Sequence, residues 1–101
     1  MPAIRLLNLL NILRKLPPLS ELSGDQERML FALRELYEQK ESLSVSDVYG
    51  LIASQSATTS FRQLVALKEA GLVDIAVSAT DRRLRVVTFT QKAEDFFRTL
   101  N

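Results

Sequence analysis

The sequence predicts a mainly helical (α+β) domain that carries one β-hairpin. Apolar residues recur with helical spacing over most of the chain, whereas residues 72–90 alternate and are rich in β-branched side chains. The 101 residues suit a single domain. Histidine and cysteine are both absent, which excludes imidazole or thiolate catalysis and zinc sites built from these residues. We therefore predict no enzyme activity, no metal and no cofactor.

The first predicted helix covers residues 3–16, in an N-terminal apolar segment, 1–16, that we separate from a main domain at 23–101. Pro17-Pro18 ends this helix, because proline lacks the backbone donor and restricts the residue before it. Charged residues interrupt it too often for a membrane span. Three roles stay open: a dimerisation helix, an arm over its own domain, or a helix lying at a membrane surface. Dimerisation is favoured because the rest of the chain can close a core alone, and its contacts would be Leu6, Leu9, Leu10 and Leu13.

Two capping boxes predict the next two helices. Ser23 and Gln26 open a helix that the break at residues 40–44 ends, with Met29, Leu33 and neighbours on its apolar stripe and Arg34 outside the stripe. Ser44 and Asp47 open a short helix over about 45–53.

A polar break at residues 54–56 precedes a helix at about 57–70, and Gly71 has the position of a C-terminal capping glycine. The hairpin follows, with strands at 72–77 and 83–90. Thr90 is the predicted N-cap of a last helix, 91–100, whose apolar side is Ala93, Phe96, Phe97 and Leu100.

Two helices joined by a short turn and followed by a hairpin are typical of a winged helix-turn-helix. In that fold the second helix of the pair, here residues 57–70, enters the major groove of DNA, and the wing, about 72–90, reaches the backbone or the minor groove. The extra N-terminal helix would be an addition to this fold.

Candidate DNA contacts occur on both elements. Ser56, Thr58 and Thr59 at the helix N-terminus can bind phosphates, although such residues also act simply as caps. Arg62 and Gln63 have the donors to read guanine and adenine edges, and Lys68 suits a backbone contact. An exposed helix without a ligand would explain the same residues.

The predicted wing tip contains Arg82, Arg83 and Arg85. Alternation along a strand would place Arg83 and Arg85 on one face, and Asp81 could pair with Arg83. Three arginines within four residues suit a phosphate-facing tip, while the competing interpretation is a solvated turn.

The chain resembles the MarR-type winged-helix transcription regulators. The resemblance rests on Leu67-Lys68-Glu69-Ala70-Gly71-Leu72-Val73, similar to the family's Leu-x-x-x-Gly-Leu-Val join, and on the wing residues Asp81, Arg83, Val87, Phe89 and Thr90 at the family's spacing. It implies that Arg62 is a recognition-helix arginine and that Asp81 orients the arginine entering the minor groove. Ala93 stands where the family usually has glycine.

These observations predict a small cytoplasmic transcriptional regulator that binds double-stranded DNA in a sequence-dependent manner, as a homodimer and without a membrane partner. Whether a small-molecule effector binds stays open, because no pattern in the sequence identifies a pocket for one. The formal net charge is only +1, whereas dedicated DNA-binding domains are usually more basic. A winged-helix adaptor that binds proteins and not DNA is therefore the alternative.

Overall fold

The computed structural model describes residues 3–40 and 42–100, and the helices and the hairpin follow one another there as predicted. A 3-10 helix, Leu19–Glu21, precedes the second α-helix. The α-helices are α1 Ala3–Arg14, α2 Gly24–Gln39, α3 Val45–Val48, α4 Ala57–Glu69 and α5 Gln91–Thr99, and the strands are β1 Leu43–Ser44, β2 Val73–Val77 and β3 Arg85–Phe89.

The three strands form an antiparallel sheet in the order β1-β3-β2. Strand β1 was not predicted, because two residues are too few to show an alternating pattern. It forms through its partner, with Leu43 opposite Val87 and Ser44 opposite Val86. The sheet therefore joins the segment before α3 to the returning strand of the wing.

The predicted length of the third helix, 45–53, is wrong. Helix α3 ends at Val48, and turns occupy the chain up to Gln55. Gly50 disfavours helix continuation by about 1 kcal/mol relative to alanine. The following bonds have i to i+3 spacing, from Leu51 N–H to the Val48 carbonyl (3.1 Å) and from Gln55 N–H to the Ile52 carbonyl (3.0 Å).

The core lies between α2, α4, α5 and the inner face of the sheet. Its buried apolar residues come from every element except α1, and the 3-10 helix contributes Leu19. The other members are Met29, Leu30, Leu33, Leu43, Val45, Val48, Leu64, Leu67, Leu72, Val73, Val87, Ala93, Phe96 and Phe97. Burial of these side chains supplies most of the stabilisation, at roughly 1.5–3 kcal/mol for each large one. Helix α4 is thereby held against α2 on one side and against the sheet on the other.

Two predicted orientations are wrong. Arg34 was placed outside the apolar stripe of α2, yet its guanidinium lies 4.9 Å from the ring centre of Phe97 and pairs with Glu94 at 3.3 Å. The aromatic rings attract the Arg34 guanidinium through a cation–π interaction, and the Glu94 carboxylate forms an ion pair with it. Leu100 was placed on the buried side of α5 but is exposed, because it follows the last helical residue.

Helix α1 rests on the main domain by one edge. Arg14 donates two hydrogen bonds of 2.9 Å to the carboxylate of Glu27, and Leu10 and Leu13 are half-buried. A largely apolar cavity of about 410 Å³ remains beneath the helix, between its leucines and Leu19, Phe31 and Leu100. Within residues 3–40 and 42–100, none of the helices has the length and apolar character needed to cross a membrane.

A junction at Gly71 connects α4 to the wing and to α5. Gly71 has φ +78°, a conformation that glycine adopts without the steric cost of a Cβ, and Leu72 N–H bonds the Leu67 carbonyl at 3.0 Å. The Thr90 hydroxyl donates to the Gly71 carbonyl at 2.6 Å, and Lys92 Nζ donates to the Ala70 carbonyl at 2.9 Å. The end of β3 is thereby tied to the end of α4.

We expect Thr90→Val to destabilise the protein by about 1–2 kcal/mol, since it removes both the N-cap of α5 and the bond to Gly71. Urea unfolding followed by circular dichroism measures the change. Thr88→Val is the control, because Thr88 is exposed on β3, two residues earlier, and has no side-chain hydrogen bond to the described residues. Equal destabilisation by both variants would contradict a specific role for the junction.

Candidate nucleic-acid interface

Helix α4 begins with a hydroxyl cap that joins two of the predicted phosphate contacts. Ser56 Oγ accepts from the Thr59 N–H at 3.1 Å and donates to Thr59 Oγ1 at 3.0 Å. Ser56 and Thr58 are exposed and Thr59 is half-buried. The first N–H groups of a helix have no partner within it, so this end of α4 presents donors as well as hydroxyls to solvent.

The turn before α4 is fixed by a contact that the sequence reasoning missed. Ser60 is fully buried, and its hydroxyl donates to Gln55 Oε1 at 3.1 Å. The only sequence signal is a serine at a position where the helical period requires an apolar residue. This bond ties the end of the turn to the first part of α4.

Helix α3 is capped by the predicted box. The Ser44 hydroxyl accepts from Asp47 N–H at 3.3 Å, and the Asp47 carboxylate accepts from Ser44 N–H at 2.9 Å. Lys40 Nζ lies 2.8 Å from the other carboxylate oxygen. The hydrogen bond from Lys40, followed by that from the Ser44 backbone, lowers the pKa of Asp47 below its ordinary value.

The outward side of α4 carries the predicted base-reading residues. Thr58 and Arg62 are exposed one helical turn apart, and Arg62 forms no ion pair with the described part of the chain. Gln63 is half-buried, which leaves it less accessible than Arg62. Lys68 is exposed near the C-terminal end of the helix. Glu69 follows it and is also exposed, so the positive charge on this helix is partly offset.

The wing tip is an ordered loop that a backbone hydrogen bond and the side chain of Asp81 hold in shape. Ser78 N–H bonds the Leu84 carbonyl at 2.8 Å, and Asp81 accepts from the Arg83 N–H at 3.0 Å. The same Asp81 oxygen lies 3.4 Å from Nε of Arg83, whose side chain remains 92% exposed. Asp81 and Arg83 are therefore in contact, as expected, with the guanidinium facing solvent.

The prediction that strand alternation places Arg83 and Arg85 on one face is wrong, because Arg83 does not lie in a strand. Strand β3 begins at Arg85, and Arg82 and Arg83 lie in a turn. A turn has no two-residue alternation, because its backbone dihedrals change from residue to residue. The loop contacts and not a strand pleat decide where Arg83 lies.

The register of the sheet places Arg85 beside α4. Arg85 is opposite Val77 and Val87 is opposite Ile75, so Arg85 shares the face of the strand that Val87 buries in the core. Lys68, Arg85 and Phe61 accordingly line one cavity of about 280 Å³, between α4 and the wing. A sequence pattern cannot supply this contact, since it depends on how the sheet packs on the helix.

A second cavity, of about 300 Å³, lies between α3, α4 and the wing, and we call it the α3–wing groove. Its lining is Ser44, Val45, Ser46, Tyr49, Phe61, Arg83, Leu84 and Arg85. The structure thus brings Arg83 and Arg85 together beside α4. Arg82, Arg62 and Gln63 line neither cavity. Ser46 and Tyr49 were not predicted, because nothing in the sequence indicates that α3 reaches the wing.

These elements define a winged helix-turn-helix domain: α3 and α4 are the helix pair, and β2 and β3 are the wing. Two solved structures have a similar fold. A MarR-like transcriptional regulator from Thermotoga maritima is 19% identical, with a TM-score of 0.62 over 97% of this chain and 72% of that one. A MepR mutant from a multidrug-resistant S. aureus clinical isolate is 18% identical, with a TM-score of 0.59 over 98% of this chain and 76% of that one.

The chain therefore has a MarR-like winged-helix fold, as the sequence resemblance indicated. No protein-family model and no curated protein sequence matches it. At these identities the similarity concerns the fold, and the function has to be argued from the interface.

We expect Asp47→Asn to lower the stability by about 1 kcal/mol at pH 7, because it removes the charge that Lys40 and the cap stabilise. The pKa of Asp47 is lowered in the folded protein, so its contribution is present above the unfolded pKa of about 3.9 and is lost as the pH falls through the lower folded value. Urea titrations between pH 7 and pH 3 should show the two proteins converging.

Asp74→Asn is the control for Asp47→Asn, because Asp74 is exposed and forms no ion pair with the described residues. Its stability at pH 7 should remain within about 0.5 kcal/mol of the wild type. A stability difference for Asp47→Asn that stayed constant down to pH 3 would show that the carboxylate charge is not its source.

Proposed function

We propose that this protein binds double-stranded DNA in a sequence-dependent manner and acts as a small transcriptional regulator. The observation that carries the proposal is the meeting of Arg85 and Lys68 in one cavity between the wing and α4, with Arg83 in the adjoining groove. Cationic side chains from two separate elements therefore converge at the junction of helix and wing. The MarR-like regulator of similar fold supports the same proposal.

In the proposed complex α4 lies in the major groove. Arg62 and Gln63 contact base edges, while Ser56, Thr58 and Thr59 bind a phosphate at the helix N-terminus. Because Arg62 is exposed and has no ion pair to break among the described residues, it can bind a guanine without losing an internal contact.

The wing then contacts the neighbouring minor groove and its backbone. Asp81 holds the loop and orients Arg83 toward the narrow groove, where the negative potential favours a guanidinium. Arg82, Arg85 and Lys68 neutralise phosphates. Asp81 does not interrupt the positive surface as an isolated charge, since it already accepts from Arg83.

We also propose that the protein works in the cytosol, because a chain without cysteine has no disulfide to lose in that reducing compartment.

We further propose that the protein forms a homodimer through α1. Leu6 and Leu9 are well exposed, whereas Leu10 and Leu13 are half-buried against their own domain. We therefore assign the intermolecular contact to Leu6, Leu9 and Ile12, which share one side of the helix, and to Leu16 just beyond its end. A two-fold axis at this surface would present two α4 helices to one DNA site.

The Arg83→Ala substitution should weaken binding to every duplex by ~1–3 kcal/mol, because it removes a contact that does not depend on the DNA sequence. Arg62→Ala should instead reduce the difference between preferred and random duplexes. Fluorescence polarisation with labelled duplexes selected from a random pool, at two salt concentrations, measures both effects.

Arg28→Ala is the matched control for the arginine variants. Arg28 is exposed on α2, in a groove with Arg14 and Phe31 that shares no residue with the wing or with α4. It should bind DNA like the wild type. A wild-type protein that binds no duplex at low salt would refute the proposal and favour the protein-binding adaptor. If Arg83→Ala bound DNA as tightly as the wild type, the proposed contact of the wing with DNA would be excluded.

The dimer proposal predicts that Leu9→Gln shifts the protein toward monomer, since Leu9 is 53% exposed in the single chain and would be buried between two copies. Sedimentation equilibrium measures the shift, which should exceed tenfold in the dissociation constant. Ile4→Gln is the control, because Ile4 is exposed on the opposite, polar side of the helix. A wild-type monomer at high concentration would contradict the proposal.

A further inference from the structure

The α3–wing groove contains two hydroxyl donors, those of Ser46 and Tyr49, that the contacts assigned above do not use. Arg83 and Arg85 contribute guanidinium groups, and Ser46 and Tyr49 contribute hydroxyls. Tyr49 is 39% exposed, and its hydroxyl forms no hydrogen bond with residues 3–40 or 42–100. None of the described residues that line the groove is acidic, although Asp81 contacts Arg83 from the loop.

This set of side chains suits an anion with several acceptor oxygens. Two guanidiniums supply charge and directed donors, and the hydroxyls can complete the shell around a phosphate. The floor is apolar, formed by Phe61 and Val45 with Leu84 at the rim, which reduces the water that competes for the donors. The cavity of about 300 Å³ has room for a phosphate group and bridging waters.

The position of the groove identifies the anion. Phe61 belongs to α4 and precedes Arg62, whereas Arg83 belongs to the wing tip. On the proposed complex α4 occupies a major groove and the wing an adjacent minor groove, and one sugar-phosphate backbone separates two adjacent grooves of B-form DNA. That backbone must pass between α4 and the wing tip, where the α3–wing groove opens.

We infer that the α3–wing groove binds a backbone phosphate of duplex DNA and that Tyr49, together with Ser46, is a DNA-contacting residue. This inference rests on the proposed function. It adds α3 to the interface, which otherwise consists of α4 and the wing. The Tyr49 hydroxyl donates to a phosphate oxygen, and Arg85 neutralises the charge of the same group.

The two tyrosines of the chain provide a matched test. Tyr49→Phe removes only the hydroxyl, and we expect about tenfold weaker binding to a selected duplex, as for the loss of a hydrogen bond to a charged group. The slope of the logarithm of the DNA-binding constant against the logarithm of the salt concentration should not change, because a neutral phenol releases no counterion from the DNA. Arg85→Ala should lower the slope by about 0.9.

Tyr37→Phe is the control, because Tyr37 is 37% exposed, packs edge-on against Phe89 and lies outside the groove. It should bind like the wild type. Ser46→Ala should weaken binding in the same direction as Tyr49→Phe. Circular dichroism and urea unfolding establish that each variant remains folded.

The outcomes separate the inference from the proposed function. A wild-type protein that binds DNA while Tyr49→Phe binds within twofold of it would overturn the inference and leave the proposed function intact. Weaker binding accompanied by a slope reduced as in Arg85→Ala would also overturn it, because the phenol would then act by positioning an arginine. A wild-type protein that binds no duplex would overturn both.

Discussion

The geometry of the whole interface depends on the junction at Gly71. The hydroxyl of Thr90, the N-cap of α5, donates to the carbonyl of Gly71 after the end of α4, and Lys92 reinforces the same place through Ala70. Since Thr90 directly follows β3, the returning strand of the wing cannot move relative to α4 without breaking these bonds. Arg85 can share a cavity with Lys68 because the strand that carries it is held in this way.

The distribution of the charged residues matters more for the proposed interface than the net charge of the protein does. With 13 basic and 12 acidic residues, the chain as a whole has little attraction for a polyanion. Several carboxylates are nevertheless paired away from the proposed interface, as Glu27 is with Arg14 and Glu94 is with Arg34. Arg62 is free of ion pairs within the described residues, and Arg83 keeps its side chain in solvent. A nearly neutral protein can thereby present a locally positive surface.

Helix α1 has one of the roles that its composition left open, and we propose that it has a second. Its inner edge covers part of its own domain through Leu10, Leu13 and the bidentate contact of Arg14 with Glu27. Leu9, at the cavity beneath the helix, and Ile12 stay exposed, and exposed apolar residues that share one side of a helix are typical of a surface that another chain covers. The proposed dimer and the proposed DNA contacts lie on different elements, so separate substitutions can test them.

Local sequence determined the helix caps, the hairpin and the type of fold. Ser23, Ser44 and Thr90 act as caps, and Gly71 takes a left-handed conformation, because each of these features depends only on a few neighbouring residues. Tertiary structure decided the rest. Arg34 lies on aromatic rings from distant elements, and Ser60 is buried against the turn. Tyr49 and Arg85 meet in one groove only because sheet register and packing bring them there, and neither leaves a periodic signal along the chain.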